Sequence, residues 1–445
     1  MRPLRRLIGI LAVLLLIATA CGDDDDDVGT VTEGTAGGGS EEEDADLEGQ
    51  SVEVAAVFTG TEQENLEAVL AAFEEETGAT VDYTSTGDDV GATLGPRIAA
   101  GDAPDVAFLP QPGLMRDFVA DGSLQPVQDV AGDLVDENYD PIWRELGSVD
   151  GTLYGVWFKA ANKSTFWYNV GVFDDAGVEA PQDWAGLQDV AQTISDSGVA
   201  PISIGGADGW TLTDWFENVY IRTAGPEMYD MLAAHELPWT DESVTTALTT
   251  LAEVFGSAEL LAGGTEGALQ TDFETSVAKV FAEPPDGAMV YEGDFVASVI
   301  SDDIGAELGT DADFFDFPSI GGSEPTVVGG GDVAVLLSDS EAGRELIRFL
   351  ATPEAAEIWA ERGGFLSPNQ QVDLEVYPDD ITRSLAESLV EAETFRFDLS
   401  DLQPAAFGGT IGQGMWKLLQ DFLADPSAVD AIAQQLETQA AAAFG

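Results

Sequence analysis

The sequence predicts an α/β fold built from two lobes, and two observations lead to this prediction. Strand-like and helix-like segments alternate from Ser51 onward with short glycine-containing links, which is typical of a parallel sheet covered by helices. The chain has 445 residues, more than one hydrophobic core usually serves. Ligands of such sheets bind beyond the carboxyl ends of the strands, so the residues that follow each strand are the first candidates for a site.

Polar residues follow the first three predicted strands. They are Thr59-Gly60-Thr61-Glu62, Gly87-Asp88-Asp89 and Pro110-Gln111-Pro112. The carboxyl ends of parallel strands meet at one edge of the sheet, so these segments are expected to lie close together. Each one alone is also typical of a helix cap.

The stretch from Gly151 to Asn169, GTLYGVWFKAANKSTFWYN, is unusually rich in aromatic residues. The chain has only four lysines, and Lys159 and Lys163 are two of them. Two interpretations are open. The stretch is either a crossing strand with core aromatics and lysines that balance nearby carboxylates, or a wall of a ligand cleft, because Trp and Tyr offer flat apolar faces with a polar edge.

A second distinctive run, GGADGWTLTDWFENVY, spans Gly205 to Tyr220. Its glycines leave room for a close approach, and Thr211 and Asp214 have the spacing of a capping box. We expect Asp208 and Trp210, in the glycine-rich turn before the helix, to contact a ligand.

Two later segments complete the set of candidates. Glu292-Gly293-Asp294 follows a buried-type strand, and Val327 to Asp332 contains a triple glycine. The triple glycine is no phosphate loop, because no Lys-Ser or Lys-Thr pair follows it. It fits a flexible lobe crossing or a close backbone approach.

The composition excludes several partners and chemistries. Acidic residues number 83 against 16 basic residues, a formal net charge of −67. Such a charge repels nucleic acid and anionic lipid headgroups. The only histidine is His235 and the only cysteine is Cys21, which leaves almost no material for a transition-metal site or a histidine-activated nucleophile. We therefore expect no metal and no cofactor, and because the sequence offers many acids but no catalytic signature we also expect no enzymatic activity.

Residues 1–21 predict an export signal. Arginines precede an apolar run, Leu7 to Ile17, that is too short to span a bilayer. Cys21 follows Ala18-Thr19-Ala20, which matches the place where bacterial lipoproteins are cut and acylated; a plain signal peptide is the alternative. Residues 22–50 predict an acidic disordered tether. The chain is therefore expected at the extracellular face of the cell membrane, held there by a lipid anchor.

From about Ser51 to the C-terminus the chain resembles the family 1 extracellular solute-binding proteins of ATP-driven (ABC) sugar importers, and most closely the alpha-glucoside-binding branch. The motifs that carry the resemblance are GDDVGATLGPRIAAGDAPDVAFLPQPG, FKAANKSTFWYN, GGADGWTLTDWFENVY, EGDF, VVGGGDVAV and GGFLSPN. The resemblance implies a two-lobed periplasmic-binding-protein-like fold with a ligand cleft between the lobes. It places the first lobe at 51–157 plus 326–370 and the second at 158–325 plus 371–445.

The resemblance also implies which residues contact the sugar. By position in the motifs they are Glu62, Asp89, Gln111, Trp157, Lys159, Asp208, Trp210, Glu292, Asp294 and Asp332. Each sugar hydroxyl buried without a partner costs roughly 1 to 3 kcal/mol, so carboxylates and amides must surround the ligand. Aromatic faces cover the apolar side of the ring.

The implied function is a monomeric binding lipoprotein that captures alpha-glucosides of the maltose, trehalose or sucrose type for the permease subunits of an ABC importer. Two alternatives stay open. One is a binding protein for another oligosaccharide or a polyol. The other is an anchored glycoside hydrolase, which would need two carboxylates roughly 5 to 10 Å apart with one raised pKa.

Overall fold

The structure is a computed structural model that describes residues 46–390, 392 and 394–445. The predicted export signal, the lipidation site at Cys21 and most of the acidic tether lie outside these residues. Within the described ranges, no helix combines the length and the apolar character needed to cross a bilayer.

Twelve strands are formed by the described residues. In chain order they are β1 (Ser51–Ala56), β2 (Thr80–Ser85), β3 (Val106–Leu109), β4 (Ser148–Val149), β5 (Thr152–Leu153), β6 (Gly155–Asn162), β7 (Thr165–Asn169), β8 (Ala200–Ser203), β9 (Gly287–Glu292), β10 (Ala312–Asp316), β11 (Val327–Leu336) and β12 (Phe395–Phe397).

Helices cover these strands. They are α1 (Gly60–Thr77), α2 (Val90–Ala100), α3 (Pro112–Ala120), α4 (Gln128–Asn138), α5 (Pro141–Leu146), α6 (Val170–Ala176), α7 (Trp184–Ser197), α8 (Trp210–Ala224), α9 (Pro226–Ala233), α10 (Glu242–Phe255), α11 (Gly264–Ala268), α12 (Phe273–Phe281), α13 (Val296–Ser298), α14 (Glu341–Leu350), α15 (Pro353–Ala360), α16 (Asp380–Val390), α17 (Ala405–Gly408), α18 (Gly414–Ala424) and α19 (Val429–Phe444). A wide π turn, Val299–Ile304, continues α13, and short 3-10 turns occupy Ala258–Leu260 and Leu374–Val376.

The strands form two main sheets. The first has the order β12-β11-β3-β1-β2, with β6 also paired to β11, and the second has the order β10-β7-β9-β8. Strand β1 runs parallel to β2 and to β3, as the strand-helix alternation predicts. Strand β11 is antiparallel to both β3 and β6, and β7 is antiparallel to β9 and β10.

The buried hydrophobic residues form two clusters, one around the first sheet that also takes in part of the second sheet, and one mainly around the second sheet. Around the first sheet, Phe58 packs edge-on against Trp359 with ring centroids 5.1 Å apart. Around the second, Trp215 packs against Tyr291 at 4.8 Å. Burial of such rings is the main favourable term of folding. The predicted two-lobed α/β fold is confirmed.

The aromatic stretch identified in the sequence carries the chain from one sheet to the other. Strand β6 belongs to the first sheet and β7 to the second, and only Lys163 and Ser164 lie between them. The exact lobe boundaries stay a prediction. Strand β6 spans the expected boundary at residue 157, and β12 joins the first sheet from the range expected for the second lobe.

The triple glycine lies inside β11, where it pairs tightly with β6. Gly329, Gly330 and Gly331 lie opposite Asn162, Ala161 and Ala160. A Cβ atom on Gly331 would lie 2.3 Å from the backbone oxygen of Lys159. Of the two interpretations of this motif, the close backbone approach therefore describes the structure.

We expect Gly331→Ala to destabilise the fold, because the new methyl group meets rigid backbone that can move only by disturbing the β6–β11 pairing. The expected loss in the free energy of unfolding is about 1 to 3 kcal/mol, measured by urea unfolding followed through tryptophan fluorescence. Gly91→Ala is the control, because the nearest atom to its Cβ would be the Leu114 side chain at 3.6 Å. Equal stability of the two variants would contradict the steric account.

Candidate ligand-binding site

A cavity of about 250 Å³ lies at the carboxyl ends of the first sheet's parallel strands. Glu62, Asp88 and Gln111, which follow β1, β2 and β3, all line it. The three segments converge because β1 pairs in parallel with both of its neighbours. The volume is close to the lower end of the roughly 300–1,000 Å³ typical of small-ligand pockets.

Three aromatic rings from the second sheet's connections form another wall of this cavity. Trp210 begins α8, Phe273 begins α12, and Phe295 follows β9. Their ring centroids are 5.3 Å apart for Trp210 and Phe273, 6.0 Å for Trp210 and Phe295, and 5.4 Å for Phe273 and Phe295. We call these three residues the aromatic wall; its tilted rings give the cavity an apolar side.

Lys159 brings a positive charge to the floor of the cavity. Its ammonium forms a short ion pair with Glu62 and lies 5.1 Å above the ring of Phe58. Asp332 is its neighbour in the β6–β11 register. Burial lowers the pKa of Lys159, but the Glu62 and Asp332 carboxylates outweigh it and leave the pKa above its usual value. Burial raises the pKa of Asp332 to about 6, although Lys159 opposes this.

Lys163, in the link between β6 and β7, lies against the aromatic wall. Its Nζ atom is 2.6 Å from Asp398, 3.3 Å from Asp214 and 3.8 Å from Asp401. The same atom lies 5.6 Å above the ring of Trp210, within cation–π range. Burial lowers the pKa of Lys163, yet the surrounding carboxylates raise it well above its usual value.

Helix α8 supplies one of the acids that meet Lys163. Asp214, Glu217 and Asn218 are fully buried, and their spacing of three and four residues places them on one helix face. Asn218 donates to the backbone oxygen of Lys163 at 2.9 Å. The expected capping box does not form. Thr211 Oγ1 donates instead to the backbone oxygen of Gly205, and Asp214 turns toward Lys163.

Most of the charged groups that line the cavity are acidic. Two ammonium groups, those of Lys159 and Lys163, face six carboxyl groups, which belong to Glu62, Asp88, Glu274, Asp303, Asp332 and Asp401. A negatively charged solute would meet repulsion in such a site, whereas an uncharged solute with many hydroxyl groups would find donors and acceptors.

Five of the ten residues that the sequence predicts as contacts line the cavity: Glu62, Gln111, Lys159, Trp210 and Asp332. The cavity therefore combines residues from the carboxyl ends of the first sheet, from the β6–β11 pair and from the start of α8.

Asp89 and Trp157 lie elsewhere. Asp89 caps α2 by accepting from the backbone N–H of Ala92 at 2.9 Å, so its neighbour Asp88 faces the cavity instead. Trp157 is buried in the core, with its ring 4.9 Å from that of Phe397. The β6–β11 register shifts beside it, which breaks the alternation that would have placed Trp157 on the face of Lys159.

Asp208, Glu292 and Asp294 lie close to the cavity without lining it. Asp208 accepts from the backbone N–H of Phe273 at 2.7 Å and so holds the start of α12; burial raises its pKa to about 6. Asp294 accepts from the backbone N–H of Asn162 at 2.6 Å. Glu292 is 2 % exposed and faces the buried acids of α8.

Several lining residues were absent from the sequence-based set. Asp88 directly precedes the predicted Asp89, and Lys163 belongs to the same aromatic stretch as the predicted Lys159. Phe273 and Glu274 carried one sequence signal, the capping residue Asp272 directly before α12. Their approach to the cavity depends on contacts across distant parts of the chain, for which the sequence holds no local pattern.

A larger cavity, about 770 Å³, lies near the start of β11 and is lined by Arg222, Phe315, Asp316 and Phe317. None of the ten predicted residues lines it. We assign the ligand to the smaller cavity, because it combines the strand ends of a parallel sheet with aromatic and ionic groups.

The chain is similar to known solute-binding proteins. A family model for bacterial extracellular solute-binding proteins matches residues 59–357. The osmoprotective compounds-binding protein GgtB of Synechocystis sp. is 38% identical over 378 residues, 83% of this chain and 89% of the relative. The alpha-glucosides-binding periplasmic protein AglE of Rhizobium meliloti is 34% identical over 403 residues, 87% of this chain and 86% of the relative.

Solved structures share the fold at lower identity. The bacterial solute receptor AcbH, described as having an exclusive preference for β-D-galactopyranose, superposes with a TM-score of 0.78 at 20% identity. The match covers 89% of this chain and all of the receptor. At this identity the likeness concerns the fold alone.

We expect Asp294→Asn to make the protein more stable above neutral pH. Burial raises the pKa of Asp294 to about 7, so the folded state binds a proton that the unfolded state releases. Stability contributed by this proton is present near pH 4 and is lost as the pH rises to about 7. Asparagine mimics the protonated acid, and its Oδ1 still accepts from Asn162.

Calorimetric melting at two pH values tests this prediction. The variant should melt above the unmodified protein at about pH 8 and close to it at about pH 4. The same difference in melting temperature at both pH values would contradict the account.

Proposed function

Because the chain belongs to the family of bacterial extracellular solute-binding proteins, we propose that it captures alpha-glucosides of the maltose, trehalose or sucrose type and delivers them to an ABC permease. The observation that carries the proposal is the aromatic wall of Trp210, Phe273 and Phe295, which lines the same cavity as Glu62, Lys159 and Asp332. Sugars need both surfaces, because their rings have an apolar face and a rim of hydroxyl groups.

The names of the relatives differ in the ligand they suggest: the name of AglE favours alpha-glucosides, and the name of GgtB leaves other solutes open. AglE is named for alpha-glucosides and GgtB for osmoprotective compounds. The acidic lining supports an uncharged ligand. The alternative ligands are another oligosaccharide or a polyol, which present the same hydroxyl chemistry.

We propose closure of the two lobes as the mechanism of capture. The expected lobes are 51–157 plus 326–370 and 158–325 plus 371–445. A hydrogen bond of 3.1 Å already joins Thr61, at the start of α1, to Asp303 in the π turn. A ligand that contacts groups on both sides of the cavity stabilises the closed form over the open form.

The contacts proposed for the sugar follow the cavity. Glu62, Gln111, Lys159 and Asp332 would bond hydroxyl groups, and Trp210 would stack on the ring. The resemblance also implies five residues that lie outside the lining, and these would affect the sugar site without lining the cavity. They are Asp89, Trp157, Asp208, Glu292 and Asp294.

We expect Trp210→Ala to weaken sugar binding at least about tenfold without unfolding the protein, because the ring loses its stacking surface. Isothermal titration calorimetry with maltose, trehalose, sucrose and palatinose first identifies a ligand with one site per chain. Trp184→Phe is the control, because Trp184 lies in the second core, stacked on Phe317.

Three outcomes would count against the proposal. Unchanged affinity of Trp210→Ala would remove the aromatic wall from the site. If the folded protein binds none of the four sugars, its ligand must be another solute. Hydrolysis of a chromogenic glucoside by the purified protein would favour the glycoside hydrolase.

We also propose that Cys21 is acylated and anchors the chain to the cell membrane. Cys21→Ser should move the protein from the membrane fraction to the medium in a bacterial host, because a single anchoring residue carries the lipid. Metabolic labelling with a fatty acid checks the modification directly. Two results would overturn the anchor: fatty-acid labelling that persists in the Cys21→Ser variant, or release into the medium of the protein that keeps Cys21.

A further inference from the structure

Five buried carboxyl groups surround Lys163 behind the aromatic wall. They belong to Asp214, Glu217, Glu292, Asp398 and Asp401, and none is more than 8 % exposed. One ammonium cannot neutralise five carboxylates, and an unpaired charge in such a place is strongly destabilising. Some of these groups must therefore hold protons in the folded protein.

Hydrogen bonds distinguish the members of this cluster. Asp398 accepts from Lys163 at 2.6 Å, from Ser400 Oγ at 2.7 Å and from the backbone N–H of Asp401 at 3.0 Å. Glu217 likewise has three hydrogen-bond donors. It accepts from the backbone N–H groups of Leu399 and Ser400 at 2.6 and 2.9 Å and from the Tyr229 hydroxyl at 3.2 Å.

Glu292 and Asp214 differ from Asp398 and Glu217 in their hydrogen bonding. Among the described residues, no hydrogen-bond partner reaches Oε2 of Glu292 or Oδ2 of Asp214, although both atoms are buried. The Asp214 carboxyl group is a hydrogen-bonding neighbour of both Glu292 and Asp398, but Asp398 already has three donors, whereas Glu292 and Asp214 face each other as acceptors. Two acceptors that meet in this way are satisfied together by a single hydrogen between them.

We propose that Glu292 and Asp214 share one proton, and that this acid pair positions Lys163 beside Trp210 for ligand binding. Glu292 is then a positioning residue rather than a direct contact. The inference rests on the proposed function for its effect on sugar binding, while the shared proton rests on the burial and hydrogen bonding of the cluster and not on any ligand.

The positioning runs from Asp214 through Lys163 to Trp210. Asp214 lies one helical turn after Trp210 on α8, and its Oδ1 is 3.3 Å from Lys163 Nζ. Lys163 in turn lies above the Trp210 ring and lines the cavity. If the proton were lost, two adjacent anions would draw the ammonium away from Asp398 and from Trp210.

The electrostatic surroundings favour retention of the proton. Burial raises the pKa of both Glu292 and Asp214 well above the usual range, and Lys163 opposes this shift. The charged and titratable groups that face the pair come from every neighbouring element: Lys163 from the β6–β7 link, Glu217 from α8, Tyr291 from β9, Asp208 from the turn before α8, and Asp398 from the segment after β12. The Lys163 ammonium would repel a metal ion placed between the Glu292 and Asp214 carboxyl oxygens.

Infrared difference spectroscopy of the ligand-free protein tests the proton itself. Subtraction of Glu292→Gln from the unmodified protein at neutral pH should show loss of a protonated carboxylic acid band. Loss of an ionised carboxylate band in its place would overturn the proposal. This result does not depend on sugar binding, so it separates the proton from the proposed function.

Two matched substitutions test the hydrogen bonding. Glu292→Gln should keep the melting temperature at neutral pH, because the amide donates to Asp214 as the acid does. Glu217→Gln should lower it, because the amide N–H₂ would meet backbone N–H donors of Leu399 or Ser400. Equal losses in the two variants would contradict a neutral, donating Glu292.

Affinity as a function of pH tests the positioning, with the sugar that calorimetry identifies among maltose, trehalose, sucrose and palatinose. From pH 7 to about pH 10 the unmodified protein should lose affinity about tenfold, and Glu292→Gln should lose less than about threefold. A parallel loss in both proteins would overturn the positioning role. If no sugar binds, the proposed function fails, while the infrared and melting results still decide the shared proton.

Discussion

Pairing of the largely buried Lys163 ammonium is the constraint on which the centre of this molecule depends. The ammonium lies in the two-residue link between the sheets, so its partners must come from several parts of the chain. Asp214 reaches it from α8, and Asp398 and Asp401 reach it from the segment after β12. Because a buried charge requires partners on all sides, these segments are held together where the chain crosses between its two lobes.

The cavity follows from that arrangement. Lys163 holds the start of α8 so that Trp210 faces the strand ends of the first sheet, and Lys159 with Glu62 supplies the ionic side of the same space. Apolar rings on one side and carboxyl and amide groups on the other are the two surfaces that a sugar needs. An acidic lining disfavours anionic solutes, in keeping with a chain whose formal charge is −67.

Much of the fold could be predicted from the sequence, because strand-helix alternation and the strand-end rule are local patterns. Glu62 and Gln111, which these patterns select, both line the cavity, and their contact with a ligand stays a prediction. Trp157 could not be placed, because a register shift between β6 and β11 determines the direction of its side chain. Phe273 was not among the residues predicted from the sequence, for a related reason. Its position depends on a hydrogen bond from its backbone N–H to Asp208, 65 residues earlier in the chain, and no sequence period encodes that contact.

A crystal structure of the protein with a bound alpha-glucoside tests the central claim most directly. The account predicts a sugar ring stacked on Trp210, with hydroxyl groups bonded to Glu62, Asp332 or Gln111, and lobes closed around it. Sugar bound in the larger cavity beside Arg222 and Phe317, with the space between the aromatic wall and Lys159 left without ligand, would contradict it.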